Sequence, residues 1–342
     1  MEIDALSVSV GSRRRFLKQT VAFSALAVMG KQVGFADVTE ATSGSSEILM
    51  IGDWGYEDMA AQTKVAAGMA AYTRKNSIHP SALFLLGDNW YGALEGGVKS
   101  SRWHDGFEAM YPADTFDCQA YCVLGNHDYQ RWPESKVEAE LAYARAGHTR
   151  WTMPSRWYTF EFPKQSPLIT FIALDSNMPH SKPLAPGSRD FTLTPEERGQ
   201  QLAWLEEELK RPRTTPYLAV LAHHPVYSNG PHGDHPTLIQ DWDPLFRKHN
   251  VTLYLAGHDH DLQHLEFEGH PTSFFLSGGG GADLYDFKVD PAMRGPYGQK
   301  LYGFSHLSVT PKRLTLRHLD GEGRLLHAFT KTPSGQLAVL AG

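Results

Sequence analysis

The sequence lacks the features of several common protein classes. It has only two cysteines in 342 residues, too few for a disulfide scaffold or a cysteine-rich structural zinc site. Its formal net charge of -6 gives no positive excess for a nucleic-acid partner. No G-x-S-x-G motif occurs, and the glycine run 278–281 lacks dinucleotide-binding spacing. These absences argue against serine-hydrolase and dehydrogenase functions.

The two cysteines, Cys118 and Cys122, are four residues apart. They could form a disulfide only if the chain turns sharply, because residues four apart on a strand are too distant. Cys122 lies within an apolar run, so neither position suggests a nucleophile.

The first 36 residues are typical of an export signal. The segment SRRRFLK precedes the modest apolar run VAFSALAVMG, which is the order of a twin-arginine signal peptide. A basic amphipathic first helix is the alternative interpretation. The run is too short and interrupted for a stable membrane span. We therefore expect an exported protein, periplasmic or secreted, with the twin-arginine export machinery as a partner.

A pattern recurs five times in the rest of the chain. Each time, an unbroken apolar run ends in a small residue and then in side chains able to bind metals. Unbroken runs of this length indicate strands buried on both faces, as in α/β proteins. Such sheets place function at the carboxyl ends of their strands. The five segments are EILMIGDWG, SALFLLGDNWY, AYCVLGNHDY, YLAVLAHHPVY and VTLYLAGHDH.

Helical and antiparallel segments accompany these runs. Residues 60–75 have apolar side chains at helical spacing. Residues 194–212 form a better-defined helix, with a capping box of Thr194 and Glu197. The segment from 304 to 331 alternates apolar and polar residues around DGEG, which predicts antiparallel strands with a turn.

Each of the strand-end residues has an ordinary explanation when taken alone. Asp53 and Asp88 could cap helices or turns, GNHD could be a polar turn, and the histidines of AHHPV could be surface residues. Five such strand ends together are not explained in this way. Imidazoles, carboxylates and an amide carbonyl, with little sulfur, suit two hard cations that share one carboxylate.

The motif order GD…GDNxxY…GNHD…HxPV…GHDH resembles the calcineurin-like metallophosphoesterases. Within them it is similar to the small purple, or tartrate-resistant, acid phosphatases. The resemblance implies an α/β fold, a four-layer αββα sandwich with ligands at the strand carboxyl ends. We expect residues 37–46 to be a linker, 47–330 the catalytic domain and 331–342 a C-terminal tail.

The resemblance also implies roles for individual residues. The first metal, an Fe(III), and the second metal, Fe, Zn or Mn in the divalent state, would share Asp88 as a bridge. His127 would approach the phosphate, and His232 would lie near the leaving group. The remaining implied ligands are Asp53, Tyr91 and His260 for the first metal, and Asn126, His223 and His258 for the second.

One position distinguishes iron enzymes from the wider superfamily. The superfamily usually has D-x-H in the first motif, but Gly55 stands where that histidine would be. Tyr91 is the natural replacement, because a phenolate is a hard donor that favours a trivalent ion; the alternative is simple aromatic packing. Two departures, His224 where tyrosine is common and Trp90 where phenylalanine is common, leave the ligand set intact.

The function that follows is hydrolysis of phosphate monoesters at a dinuclear iron-containing centre, with in-line attack by a metal-bound hydroxide. His232 or His127 would protonate the leaving group. Asp128 could orient His127 or could cap a turn. The alternatives are a phosphodiesterase or nucleotidase of the same superfamily and a non-catalytic protein that binds metal or phosphate.

Overall fold

In the residues that the structure describes, fifteen strands make up about half of the regular structure. The computed structural model describes residues 44–131, 133, 135–179 and 192–341. The predicted export signal and residues 37–43 of the predicted linker lie outside the described residues. The strands are β1 (Ser46–Ile51), β2 (Ala82–Leu85), β3 (Gln119–Cys122), β4 (Trp151–Thr152), β5 (Tyr158–Phe162), β6 (Ile169–Ala173), β7 (Tyr217–Leu221), β8 (Leu253–Ala256), β9 (Leu262–Leu265), β10 (Ser273–Ser277), β11 (Tyr297–Gln299), β12 (Gly303–Val309), β13 (Leu314–Asp320), β14 (Leu325–Lys331) and β15 (Leu337–Ala341).

Six α-helices are described, and two match the predicted helical segments. Shorter 3₁₀ turns occupy Gly97–Lys99 and Pro291–Met293, and a π-helix occupies Trp103–Glu108. The α-helices are α1 (Ala60–Lys75), α2 (Asn126–Tyr129), α3 (Lys136–Arg145), α4 (Pro195–Lys210), α5 (Pro236–Asp241) and α6 (Asp243–Lys248).

The start of α4 forms because Thr194 and Glu197 cap each other. The Glu197 amide donates to the Thr194 hydroxyl, and the Glu197 carboxylate accepts from the Thr194 amide. Pro195 follows at the first helical position, where no amide hydrogen is needed.

The strands form two sheets. The first has the order β15-β14-β13-β12-β1-β2-β3-β4, and the second has the order β11-β9-β10-β8-β7-β6-β5. β1, β2 and β3 are parallel neighbours in the first sheet, and β6, β7 and β8 are parallel neighbours in the second. Each sheet therefore has a parallel centre whose strands end at the same edge.

The sheets pack face to face through apolar side chains. Phe84 of β2 lies edge-on to Phe171 of β6, with ring centroids 4.8 Å apart. Such an aromatic pair contributes about 0.5 to 1.5 kcal/mol beyond its buried area. Val65 and Met69 of α1 belong to the same core, whereas Leu205 of α4 belongs to a second core beyond the second sheet. The layers confirm the predicted αββα class.

Several other expectations can be compared with the structure. Cys118 and Cys122 are free thiols. The stretch assigned to a tail contributes β15, which pairs antiparallel with β14. Within the described residues, no helix has the length and apolar character to span a membrane.

Candidate metal centre

The candidate ligands stand on the connections that follow the parallel strands, and three of them have unusual backbone conformations. Asp53 follows β1, Asp88 follows β2 and His258 follows β8, with φ of 57°, 51° and 71°. Residues other than glycine seldom adopt positive φ, and such strain accumulates at functional sites. The chain turns away from the sheets here and directs these side chains toward one another.

The first group of side chains surrounds the Tyr91 hydroxyl. Its oxygen lies 2.9 Å from Asp88 Oδ2, 3.0 Å from His260 Nε2 and 3.3 Å from Asp53 Oδ1. Asp53, Asp88 and His260 are buried, and each offers one ligand atom within 4.8 Å of the others. Tyr91, which the sequence predicts as the replacement for the missing histidine, therefore places its hydroxyl among the other donors.

The second group surrounds His223 Nε2. This atom lies 3.2 Å from Asn126 Oδ1 and 3.2 Å from His258 Nδ1. It also lies 3.4 Å from Asp88 Oδ2, the oxygen that approaches Tyr91. Asp88 thus stands between the two groups, which is the position a bridging carboxylate requires.

Hydrogen bonds fix two of the imidazoles with Nε2 facing the centre. His223 Nδ1 lies 2.8 Å from the Leu86 carbonyl oxygen, and His260 Nδ1 lies 2.5 Å from that of Asp283. A carbonyl can only accept, so Nδ1 carries the proton in each ring. The lone pair is then on Nε2, which is the arrangement found for histidines that bind metals.

The buried charges favour a cation at this position. Burial alone would lower the pKa of His223, but Asp88 and Asp53 raise it to about 10. Burial would raise the pKa of Asp88, but His223 and His127 hold it well below its usual range. The carboxylates that favour a second proton on His223 would favour a metal ion in the same way, and the ion would replace that proton on Nε2. The donor set therefore fits bound cations in its atoms, and the sign of its charge favours them.

Asp128 has a different role from one of those expected. Its carboxylate accepts from the backbone amides of Gly125, Asn89 and Trp90, at 2.8, 3.1 and 2.9 Å. The ring of His127 instead has Nδ1 3.2 Å from Gln130 Oε1. Asp128 therefore holds the turn that carries Asp88 and Tyr91 against the segment that carries Asn126. This is the turn-capping role, and Asp128 does not orient His127.

The two predicted catalytic histidines lie beside opposite groups. The ring of His127 is 4.0 Å from that of Tyr91, between centroids. The ring of His232 is 4.2 Å from that of His258, and its Nδ1 lies 2.6 Å from Asp259 Oδ1. Asp259 is fully buried, whereas the His232 side chain is 45% exposed. His232 can therefore reach a bound molecule while Asp259 fixes its orientation.

Sequence reasoning missed one strand end. β6 is followed by Asp175, Ser176 and Asn177, all buried, and the Ser176 hydroxyl lies 2.9 Å from His224 Nδ1. The segment ITFIALDSN has the same form as the other five, an apolar run followed by polar donors. This form would have been sufficient to predict that the end of β6 also lies near the site.

The larger of the two described cavities is a neighbour of this centre. It has a volume of about 1160 Å³, and none of the seven candidate ligands lines it. Two residues that line the cavity, Tyr56 and Asp283, also contact the candidate centre. The ring of Tyr56 packs 5.4 Å from that of Tyr91. The Asp283 carbonyl accepts a hydrogen bond from His260.

Comparison with known proteins assigns the class. Residues 46–262 match the calcineurin-like phosphoesterase family, and the chain belongs to that family. Together with the candidate centre, this membership makes the protein a metallophosphoesterase, an enzyme that hydrolyses phosphate esters.

Several relatives carry names from one branch of that class. The chain is 30% identical to tartrate-resistant acid phosphatase type 5 of Sus scrofa, over 83% of this chain and 85% of that protein. It is also 30% identical to purple acid phosphatase 7 of Arabidopsis thaliana, over 85% and 87%. A solved purple acid phosphatase from Lupinus luteus seeds shares the fold, with a TM-score of 0.62 and 16% identity, over 86% of this chain and 54% of that one.

Proposed function

We propose that the protein is an exported acid phosphatase that hydrolyses phosphate monoesters at a centre of Fe(III) and one divalent ion, Fe, Zn or Mn. The observation that carries the proposal is the Tyr91 hydroxyl, 2.9 Å from Asp88 and 3.0 Å from His260. The names of the relatives, tartrate-resistant and purple acid phosphatase, point the same way.

The environment of Tyr91 favours iron over a divalent ion. Burial, and then the charges of Asp88 and Asp53, raise the pKa of the Tyr91 phenol well above its usual value. The phenolate form therefore needs a nearby cation to be stable, and a trivalent ion would stabilise it more than a divalent one. Fe(III) is hard and trivalent, which matches an anionic oxygen donor.

The proposed ligands divide between two ions. Bound there, the ions would supply a deprotonated water as nucleophile and would neutralise charge on the phosphoryl oxygens. Asp88 would bridge the two positions. The other ligands are Asp53, Tyr91 and His260 for the trivalent ion, and Asn126, His223 and His258 for the divalent ion.

His232 is our candidate for the proton donor to the leaving group. Asp259 Oδ1 holds Nδ1 at 2.6 Å, so Nε2 is the nitrogen left to give its proton to the departing alkoxide oxygen. His127 lies on the other side of the centre, beside Tyr91, where it would contact a phosphoryl oxygen. The two histidines would thus act at opposite ends of the breaking bond.

The test of the metal assignment is a visible spectrum combined with metal analysis. The purified protein should contain iron and show a visible charge-transfer band that disappears in Tyr91→Phe. Tyr56→Phe is the matched control, because its ring packs against Tyr91 while its hydroxyl lies 3.4 Å from Asp283. A colourless protein fully occupied by zinc would overturn the iron assignment.

The test of the reaction compares an aryl phosphate monoester with a diester at acid pH. Preferred hydrolysis of the monoester supports an acid phosphatase, whereas preferred hydrolysis of the diester supports the phosphodiesterase alternative. An Asp88→Ala/His258→Ala double variant should lose turnover of both substrates. Turnover retained in that variant would refute a mechanism that needs both ions.

A further inference from the structure

A histidine outside the expected ligand set lies next to the second ion position. His224 directly follows His223 in the connection after β7. One ring nitrogen of His224 lies within 4.8 Å of a ring nitrogen of both His223 and His258. Within the described residues, only this group and the group of Asp53, Asp88 and His260 bring three such donors together.

The separations of the three rings match those of imidazoles on one ion. With a metal–nitrogen distance of about 2.1 Å, a ring centroid lies about 3.2 Å from the ion, so rings at 90° to 109° are about 4.6 to 5.2 Å apart. The His223 ring is 5.0 Å from the His258 ring and 5.0 Å from the His224 ring. The His224 and His258 rings are 4.2 Å apart, which corresponds to a slightly smaller angle.

The orientation of His224 is set by Ser176 at the end of β6. The Ser176 hydroxyl accepts from the His224 amide at 2.8 Å and lies 2.9 Å from its Nδ1. Two bonds to one oxygen fix both the backbone and the ring, and they leave Nε2 for another partner. Histidines that bind metals are commonly held in the same way, because the ring nitrogen that does not bind the metal forms a hydrogen bond to an oxygen atom.

Proximity alone does not make a ligand here, as His232 shows. Its ring is also 4.2 Å from that of His258. However, His232 is nearly half exposed in its side chain. It does not belong to the group of three donors.

We propose that His224 is an additional ligand of the second, divalent ion, together with Asn126, His223, His258 and the bridging Asp88. This inference rests on the dinuclear centre proposed above, but not on the identity of the substrate. Three imidazoles make this position rich in nitrogen, whereas Mn²⁺ prefers oxygen donors. The second position should therefore select zinc over manganese.

The first experiment counts ligands in the unaltered protein. In protein that holds iron and zinc, X-ray absorption at the zinc edge reports the second position alone, and we expect three imidazoles there. Two imidazoles at a fully occupied zinc would overturn the inference and leave the proposed function intact. Absence of two bound ions would instead refute the dinuclear centre itself.

The second experiment measures zinc affinity in variants. His224→Phe keeps an aromatic ring against His258 but removes the donor. Loss of a supporting hydrogen bond alone costs about 10- to 100-fold in metal affinity, so loss of the ligand should cost at least about 100-fold. Ser176→Ala should cost about 10-fold, because only the orientation of His224 is lost.

The matched control is His235→Asn. The His235 ring lies 5.7 Å from that of His224, and its Nδ1 caps α5 by accepting from the Leu238 amide; asparagine preserves such a cap. Zinc affinity should be unchanged in this variant. Unchanged affinity in His224→Phe, with the fold verified by circular dichroism, would show that His224 only packs against His258.

Discussion

Replacing Asp128 should separate the two segments that carry the ligands. The Asp128 carboxylate is fully buried and accepts from three backbone amides and from Asn89 Nδ2 at 3.2 Å. Two of the amides belong to the turn after β2, and the third, that of Gly125, precedes α2. Removal of the carboxylate leaves the three backbone amides buried without this acceptor, whereas Asn89 Nδ2 keeps the Val123 carbonyl and Glu140 as acceptors.

The magnitude can be estimated donor by donor. A buried donor left unsatisfied costs about 1 to 3 kcal/mol. In Asp128→Asn the amide oxygen can replace Oδ2, which accepts three of the four bonds, while the new NH₂ group opposes the Trp90 amide. We expect a loss of about 2 to 3 kcal/mol for asparagine, and about 4 to 6 kcal/mol for Asp128→Ala.

The assays are urea unfolding of the metal-free protein and, in a separate sample, the metal content of the protein as purified. The exposed Asp105 provides the control, since Asp105→Ala should change the free energy of unfolding by less than about 0.5 kcal/mol. Both Asp128 variants should also retain less of the divalent ion, because Asn126 is no longer held against Asp88. A loss below about 1 kcal/mol in Asp128→Ala, with full metal content, would refute this account of the clamp.

Two further predictions follow from the strands. Gly87 has φ of 88°, and a Cβ there would lie 2.6 Å from His223 Nδ1. Gly87→Ala should therefore lose divalent metal, which elemental analysis would show. The control is Gly147, which has φ of 74° and no neighbour within 4 Å of an added Cβ, so Gly147→Ala should cost only about 1 kcal/mol of stability and keep its metal. Equal metal content in both alanine variants would contradict this. Burial would raise the pKa of Glu47, but the hydrogen bond from His306 lowers it from 4.5 to about 2, so its ionised form stabilises the fold above pH 4.5 and that contribution is lost as the pH falls toward 2. Urea unfolding at pH 6 and pH 3 should show wild type losing about 2 kcal/mol more than Glu47→Gln, and parallel losses would exclude the mechanism.

The sequence was informative about the site because its signal is local. Each apolar run and its terminal donors lie within about ten residues, so periodicity and the final polar residues could be interpreted together. The ends of β1, β2, β3, β7 and β8 do lie at the candidate centre. The capping box at Thr194 and Glu197 was readable for the same reason, since both partners belong to one turn.

Partition of the strands between two sheets could not be predicted in this way. β3 and β7 are both short and, apart from Gln119, buried, and nothing local indicates that they belong to different sheets. The contact between Ser176 and His224 depends on that partition, because β6 lies beside β7 in the second sheet. The role of Asp128 could not be predicted locally either, because its carboxylate oxygens accept hydrogen bonds from backbone amides about forty residues away along the chain.

The geometry also connects two facts that are separate in the sequence, the glycine at position 55 and the tyrosine at position 91. The turn after β2 passes so close to Gly55 that a Cβ there would lie 1.7 Å from the Asn89 carbonyl oxygen. The same turn is held by the Tyr91 amide, which donates to the Gly55 carbonyl at 3.0 Å. A histidine at 55 would therefore displace the turn that brings the Tyr91 hydroxyl to Asp88. On this backbone the two ligands exclude each other, so Gly55 is a condition for the phenol donor as well as the mark of a missing imidazole.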